Sequence, residues 1–367
     1  MSDYTTYFIG AGASFNAIPV YQNVEAGKES FKENLTYELK QFAEIKNVYT
    51  DEIVSKNMHS GEFQTNIEKL SLELNTDINW IEEETKGHYT VDTLARRLAL
   101  LNDKPNLKRL KALLSIYFLK KQIPDKYDPR YDTLLAALLE ENSNDPQSKT
   151  RETPAAKLPD NIKIISWNYD YQIEMAYGKY CGYPPNLISF QEDLKVFPRD
   201  HAEAKVAYID DINIVKLNGT AAYYTDQDDT ISHFEKYISA SIFQPDNYIK
   251  YLKAYRAAKN YKGENSIFNF AWERNKITDH SLKLAQDIIS ETTKLIIIGY
   301  SFPYYNRIID KAIFYSLNKA EEIVIQDKNP QRVSSLFLKR INPDDLPFLS
   351  KIIREESYTD QFILPED

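Results

Sequence analysis

Two of the chain's 10 glycines fall in Gly10-Ala11-Gly12-Ala13-Ser14, directly after the β-branched and aromatic run Thr5–Ile9. Glycine at such a place permits positive φ and close backbone approach, and the amides of the following turn can bind a pyrophosphate. The third glycine of the GxGxxG fingerprint is missing, so a tight turn chosen for packing stands as the alternative. Ser166-Trp167-Asn168-Tyr169-Asp170 follows a second apolar run. There Asn168 and Asp170 either orient the hydroxyls of a ligand or cap the helical stretch that follows. Lys216-Leu217-Asn218-Gly219-Thr220 and Gly299-Tyr300-Ser301 repeat the pattern of small and polar residues after an apolar run. Asp327 ends the series, either accepting ribose hydroxyls through its two carboxylate oxygens or beginning the turn Asp327-Lys328-Asn329-Pro330.

For these turns to share a crevice, the runs before them must be neighbouring strands of one sheet. Thr5–Ile9, Ile162–Trp167, Asn213–Leu217, Lys294–Gly299 and Glu322–Gln326 are short apolar runs of the fully buried type. Most of them are separated by enough helical sequence for crossovers, which predicts a parallel sheet covered on both faces. From Glu25 to Leu139 the apolar residues recur three and four apart, as in FKENLTYELKQFAEI and LKRLKALLSIYFL, the spacing of amphipathic helices. The polar, proline-broken stretch 140–161 reads as an exposed connector without an element of its own. The expected fold is α/β, a Rossmann-like doubly wound parallel sheet with a large helical insertion after the first strand. Residues 1–24 supply the first strand and turn, 25–160 the insertion, and 161–367 the rest of the sheet.

Composition narrows the function classes. The 367 residues are 43% hydrophobic and 27% charged, the balance of an ordinary globular protein. A net charge of -9 gives no general attraction to nucleic acid or anionic lipid. No apolar stretch approaches the eighteen or so residues of a membrane span, and the first residues lack a secretory signal. A cytoplasmic location is therefore expected. The single cysteine, Cys181, reads as a packing residue in a reducing compartment. The histidines, His59, His88, His201, His233 and His280, form no pair with metal-ligand spacing, so no metal is expected.

FIGAGAS with Ile18-Pro19, then SWNYD, KLNG, GYS and IQDKNP occur in the order of the signatures of the sirtuin (silent-information-regulator) family. The chain resembles that family over roughly half its length, the helical insertion excluded. Within the family it is most similar to the bacterial sirtuin-like proteins of antiphage defence, whose members degrade NAD. VDTLARRL, DPRYDTLL and GYSFPYYNRIID belong to the same resemblance. It implies that Gly10, Ala11, Gly12, Ala13 and Ser14 hold the NAD phosphates. Asn168 and Asp170 would contact the nicotinamide ribose and its attacking water. Gly219, Gly299, Ser301 and Asp327 would complete the dinucleotide site, the last two along the adenosine half. NAD is then a substrate, cleaved to nicotinamide and ADP-ribose, with NAD depletion as the defence; a homo-oligomer and a defence-system partner protein are further expectations.

Asn218 stands where the family has its histidine base. Nicotinamide leaves as a neutral amine from a cationic precursor and needs no general acid. A positioned base contributes roughly 10²- to 10⁴-fold, so its loss slows the reaction rather than removing it. Asn218 can orient hydroxyls but takes no proton at neutral pH, and His233 is the nearest substitute in sequence. Two other readings stand beside the hydrolase. One is a regulatory module that binds NAD or ADP-ribose; the other is a protein deacylase or ADP-ribosyltransferase. The single cysteine excludes the four-cysteine zinc ribbon usual in the family's deacylases.

Overall fold

The computed structural model describes residues 4–20, 30–42, 61–88, 90–121, 127–141, 156–181, 187–199, 208–221, 223–225, 231–233, 245–260, 268–341 and 349–366. In chain order the strands are β1 (Tyr4–Ile9), β2 (Glu140–Glu141), β3 (Ala156–Lys157), β4 (Ile162–Ser166), β5 (Val196–Phe197), β6 (Ile214–Lys216), β7 (Tyr223–Thr225), β8 (Ile231–His233), β9 (Thr292–Ile298), β10 (Glu322–Gln326) and β11 (Ile353–Glu356). Seven of them form one sheet in the order β11-β10-β9-β1-β4-β6-β5, and every pairing in it is parallel.

β1 is the middle of this sheet. Tyr7 lies opposite Ile164 of β4 on one side and Ile296 of β9 on the other, and every residue of β1 and β4 is buried. Unbroken burial rather than alternation is what a sheet covered on both faces requires. The chain leaves β1 toward β4, β6 and β5, then returns to β9 and continues outward through β10 and β11. The order therefore reverses between β1 and β9, the place where open α/β sheets open a crevice beyond the carboxyl ends of their strands.

Helices α1 (31–42), α2 (Gly61–Lys86), α3 (Val91–Leu100), α4 (Lys104–Lys120) and α5 (Pro129–Leu138) lie between β1 and β4. From Leu110 to Lys120 nearly every residue of α4 is buried, so it is the axis of a helical body. Helix α8 (Pro245–Asn260) packs against α4 and α2. Its Tyr248 hydroxyl shares a 2.7 Å hydrogen bond with Ser71, and Tyr255 donates to the Asp77 carboxylate. The helical body is thus closed by residues that come late in the sequence. The sheet is flanked by α6 (Gln172–Tyr177), α7 (Leu187–Asp193), α9 (Lys276–Ser290), α10 (Arg307–Phe314) and α11 (Pro330–Ile341).

All five expected strands are present, and β5 and β11 are additions. β5 has two residues, too few for a period. β11, IREE, is half-exposed and charged, the character of a protected edge strand; its Arg354 pairs with Glu322 of β10 at 3.1 Å. The connector expected to lack elements carries β2 and β3, an antiparallel pair closing its ends. His59, His201 and residues 142–155 lie outside the described residues. Among the described residues, no helix is long and apolar enough to cross a membrane.

Candidate functional site

The turn after β1 and the turn after β9 are pressed together. Gly12 donates its amide to the Gly299 carbonyl at 2.9 Å, and Ala13 donates to Gly10 at 3.0 Å. Gly299 has φ +59°, and a Cβ there would meet the Ala13 nitrogen at 2.5 Å and the Gly12 Cα at 2.6 Å. These atoms are backbone and cannot swing aside. Gly299→Ala is accordingly expected to lower stability by about 2–4 kcal/mol through overpacking and a left-handed backbone, read as a lower denaturation midpoint. The amides of Gly12 and Ala13 are engaged within the protein. What the glycines secure here is close backbone approach.

Asn168 joins this turn to the end of β4. Its Nδ2 donates to the Gly10 carbonyl at 3.1 Å and to Ser14 Oγ at 3.3 Å, while its own amide is held by Ser166 Oγ at 3.0 Å. Ser14 Oγ also meets the Tyr131 hydroxyl at 3.2 Å. Asp170 Oδ1 accepts the Gln172 amide at 3.2 Å. Burial pushes the Asp170 carboxyl up to about 6, against the opposing pull of Lys216 and the Gln172 amide. Asp170 is not the N-cap of α6, which is Tyr171 without a side-chain cap; the Asp170 carboxylate closes a turn onto the first helical amide. Asn168 forms no cap: its amide reaches across the sheet.

A buried ion pair lies beneath. Lys216 Nζ meets Glu174 Oε1 at 2.6 Å and donates to the Asp170 carbonyl at 2.6 Å. Gln191 donates to the same Glu174 oxygen at 2.9 Å. Lys216→Met leaves Glu174 buried and unpaired, and is expected to cost about 3–5 kcal/mol. The Lys216→Met/Glu174→Met double variant is expected to recover most of that, which a double-mutant cycle in urea measures.

Asn218 approaches from the other side. Its Nδ2 donates to the Tyr169 hydroxyl at 3.2 Å, and Gly219 turns the chain with φ 73°. Burial first, with the charges of Asp92 and Glu273, holds the Tyr169 phenol well above its ordinary range, so it stays a neutral hydroxyl. Trp167, Asn218, Glu273 and Thr278 line a cavity of about 10 Å³, room for one water-sized molecule. Ser301 is exposed, and Asp327, half-buried, accepts the Asn329 amide at 2.9 Å; the turn reading is the one the geometry displays. His233 lies in β8, whose Ile231–His233 pairs with β7. His280 packs edge-on against Phe197.

The glycine turn is held by a clamp that sequence spacing does not reveal. Arg130 NH2 donates to the Gly12 and Ala13 carbonyls at 3.0 and 3.1 Å, and NH1 donates to Thr359 at 3.1 Å. The guanidinium is held by the buried Asp128 at 2.7 and 2.9 Å. Asp128 also takes the Asn16 amide at 2.9 Å, and its own amide donates to Gln172. The readable signal was Asp128-Pro129, an N-cap followed by proline in the first turn of α5. That motif marks a helix start and says nothing of what the next arginine reaches.

Gln326, at the end of β10, holds the C-terminal segment. Its amide donates to the carbonyls of Tyr358 and Gln361 at 2.7 and 2.6 Å, and Phe362 of that segment lies 4.8 Å under the Arg130 guanidinium. The residue before Asp327 is a structural anchor.

Comparisons with family models, curated proteins and solved structures give no match to this chain. The reading of function therefore rests on the geometry and on the motifs.

Proposed function

We propose that this chain is a sirtuin-like NAD glycohydrolase that cleaves NAD to nicotinamide and ADP-ribose. The observation that carries the reading is the Asn168 side chain. It ties the Gly10 carbonyl and Ser14 hydroxyl to the β4 turn, beside the switch point of the sheet and within one turn of a carboxyl shifted to about 6. Polar groups so placed suit a ribose: Asn168 and Ser14 offer donors and acceptors to its hydroxyls, and Asp170 as carboxylate steadies the cationic ring formed as the C1′–N bond breaks. Orienting the ribose is the part of this reaction that a protein can supply without a base. Depletion of NAD in antiphage defence, as an oligomer, is the role the resemblance supplies.

A nicotinamide ring placed beside Asn218 needs more room than the 10 Å³ cavity there, so this reading expects the 268–274 segment to move away from Asn218. The amide of Asn269, which donates to the Asn218 carbonyl at 3.0 Å, is a contact that opening breaks. This closure and the missing histidine favour a second reading, a module whose NAD or ADP-ribose occupancy regulates a partner.

Nicotinamide release from NAD, measured beside calorimetric NAD binding, separates the two. Asn168→Ala is expected to reduce release about 10²-fold or more, and Asn218→His to raise it by up to about 10²-fold. NAD binding with no release from the parent or the histidine variant selects the regulatory module. Absence of both removes the NAD reading.

A further inference from the structure

The segment that closes the cavity beside Asn218 is held on its far side by the helical insertion. We propose that the Lys111–Glu273 ion pair is an autoinhibitory latch, by which the insertion keeps residues 268–274 closed over Asn218 and restricts the entry of a ligand. The proposal deepens the NAD reading and rests on it for the identity of the ligand; the closure itself does not.

Between α8 and α9, residues 268–274 form neither helix nor strand. Without a ladder of backbone bonds, such a segment opens at lower free energy than the core, and a few side-chain contacts set how often it does so. Toward the sheet, the Asn269 amide donates to the Asn218 carbonyl at 3.0 Å. Phe268 packs edge-on against Tyr169 with ring centroids 4.3 Å apart, and the Tyr169 hydroxyl takes the Asn218 side chain. Ala271, Glu273 and Arg274 wall the cavity. Phe268 and Phe270 are buried, which makes the closed form the stable one.

Toward the insertion, Lys111 of α4 meets the two oxygens of Glu273 at 2.8 and 2.7 Å and donates to the Asn269 side-chain carbonyl at 3.5 Å. Glu273 also accepts the Phe270 amide at 2.8 Å. One carboxylate thus walls the cavity, closes the turn of its own segment and receives the cation of the insertion. Arg96 of α3 lies 5.5 Å over the Trp272 ring, and Phe118 of α4 meets Phe268 with centroids 6.4 Å apart. These ring contacts tolerate small shifts, whereas an ion pair at hydrogen-bond length does not. Side-chain exposures of 12% for Lys111 and 22% for Glu273 shield the pair from water, so its charge-assisted bonds are stronger than those of a surface pair. A protein whose competent form is sparsely populated binds with an affinity lowered by that fraction. Loosening the latch raises the fraction.

The test is amide hydrogen exchange of the full-length protein, read by mass spectrometry, in the parent, Lys111→Met and Glu273→Gln, with calorimetric NAD titration of the same samples. Glu273→Gln keeps an acceptor for the Phe270 amide and removes the charge. Both variants are expected to exchange the amides of 268–274 about tenfold faster or more, with those of β1 and β4 unchanged. Both are also expected to bind NAD up to about tenfold more tightly. Unchanged exchange at 268–274 in both variants overturns the proposal. Acceleration of equal size in β1 and β4 overturns it as well, because the pair then supports the whole fold. Faster local exchange with NAD bound no more tightly than by the parent shows that the segment is no barrier, and also overturns it. Faster local exchange with no NAD bound by any of the three proteins supports the closure and overturns the NAD reading.

Discussion

Arg130→Met is expected to lower the stability of the fold by about 3–5 kcal/mol and, under the proposed NAD reading, to weaken NAD binding in the same variant. The first effect follows from what is left behind. Asp128, with no solvent exposure, loses its cation, and removal of one partner of a buried pair carries a cost of that size. The carbonyls of Gly12, Ala13 and Thr359 lose their donor as well. The second effect follows from position. Arg130 grips the glycine turn by the Gly12 and Ala13 carbonyls, and it does so from the helical insertion while resting on Phe362 of the C-terminal segment. Without it the turn keeps its β1 and Gly299 contacts but loses the lateral restraint that fixes Ser14 relative to Asn168. Arg130→Lys preserves charge and cannot reproduce the fork of donors, so it should recover less than half of the lost stability. Urea denaturation gives the first quantity and calorimetric titration with NAD the second. A variant as stable as the parent would show that the clamp is redundant.

Asp170→Asn is expected to act in the opposite direction on stability, gaining about 3 kcal/mol near pH 7, while the NAD hydrolysis proposed above falls. The sign follows from proton linkage. The folded carboxyl titrates near 6 and an unperturbed aspartate at 3.8, so between those values the folded state holds a proton that the unfolded chain has released. Stability from this group is full below about 3.8, falls as pH rises to about 6, and stays at the lower level above. Each pH unit between the two midpoints carries about 1.4 kcal/mol. Asparagine keeps the acceptor for the Gln172 amide and never ionises, so it escapes this penalty. The difference between parent and variant should therefore vanish near pH 4 and reach its plateau above about pH 6. Thermal melts of both proteins across pH 3.5 to 8 measure it. A carboxylate kept at the expense of stability is the pattern of a functional group, and a flat difference across pH would remove that argument for Asp170.

The main strands of the sheet were legible because burial on both faces demands unbroken apolar runs, and those runs need no partner to be recognised. TTYFI, IKIIS and LIIIG announce β1, β4 and β9 by that character alone. β5 and β11 were not legible: two residues, or four of which three are charged, become strands only because a neighbour offers its edge. The candidate site divides in the same way. Asn168 and Asp170 stood out because polar residues follow an apolar run. Arg130 and Tyr131 lie in an amphipathic helix, where a charge or a phenol is ordinary, and their local sequence holds no record of what they face.

By itself the sequence determined the α/β class, the helical insertion and the turns at the strand ends, because these follow from local propensity, spacing and glycine's conformational freedom. The tertiary structure decided that Arg130 clamps the first turn, that Asn168 ties that turn to the end of β4, and that Asp327 closes its own turn. Those are contacts between residues from 2 to 158 positions apart, fixed by which helix packs on which strand end. For the long-range contacts that is settled by the burial of the whole core rather than by any residue's neighbours in the chain.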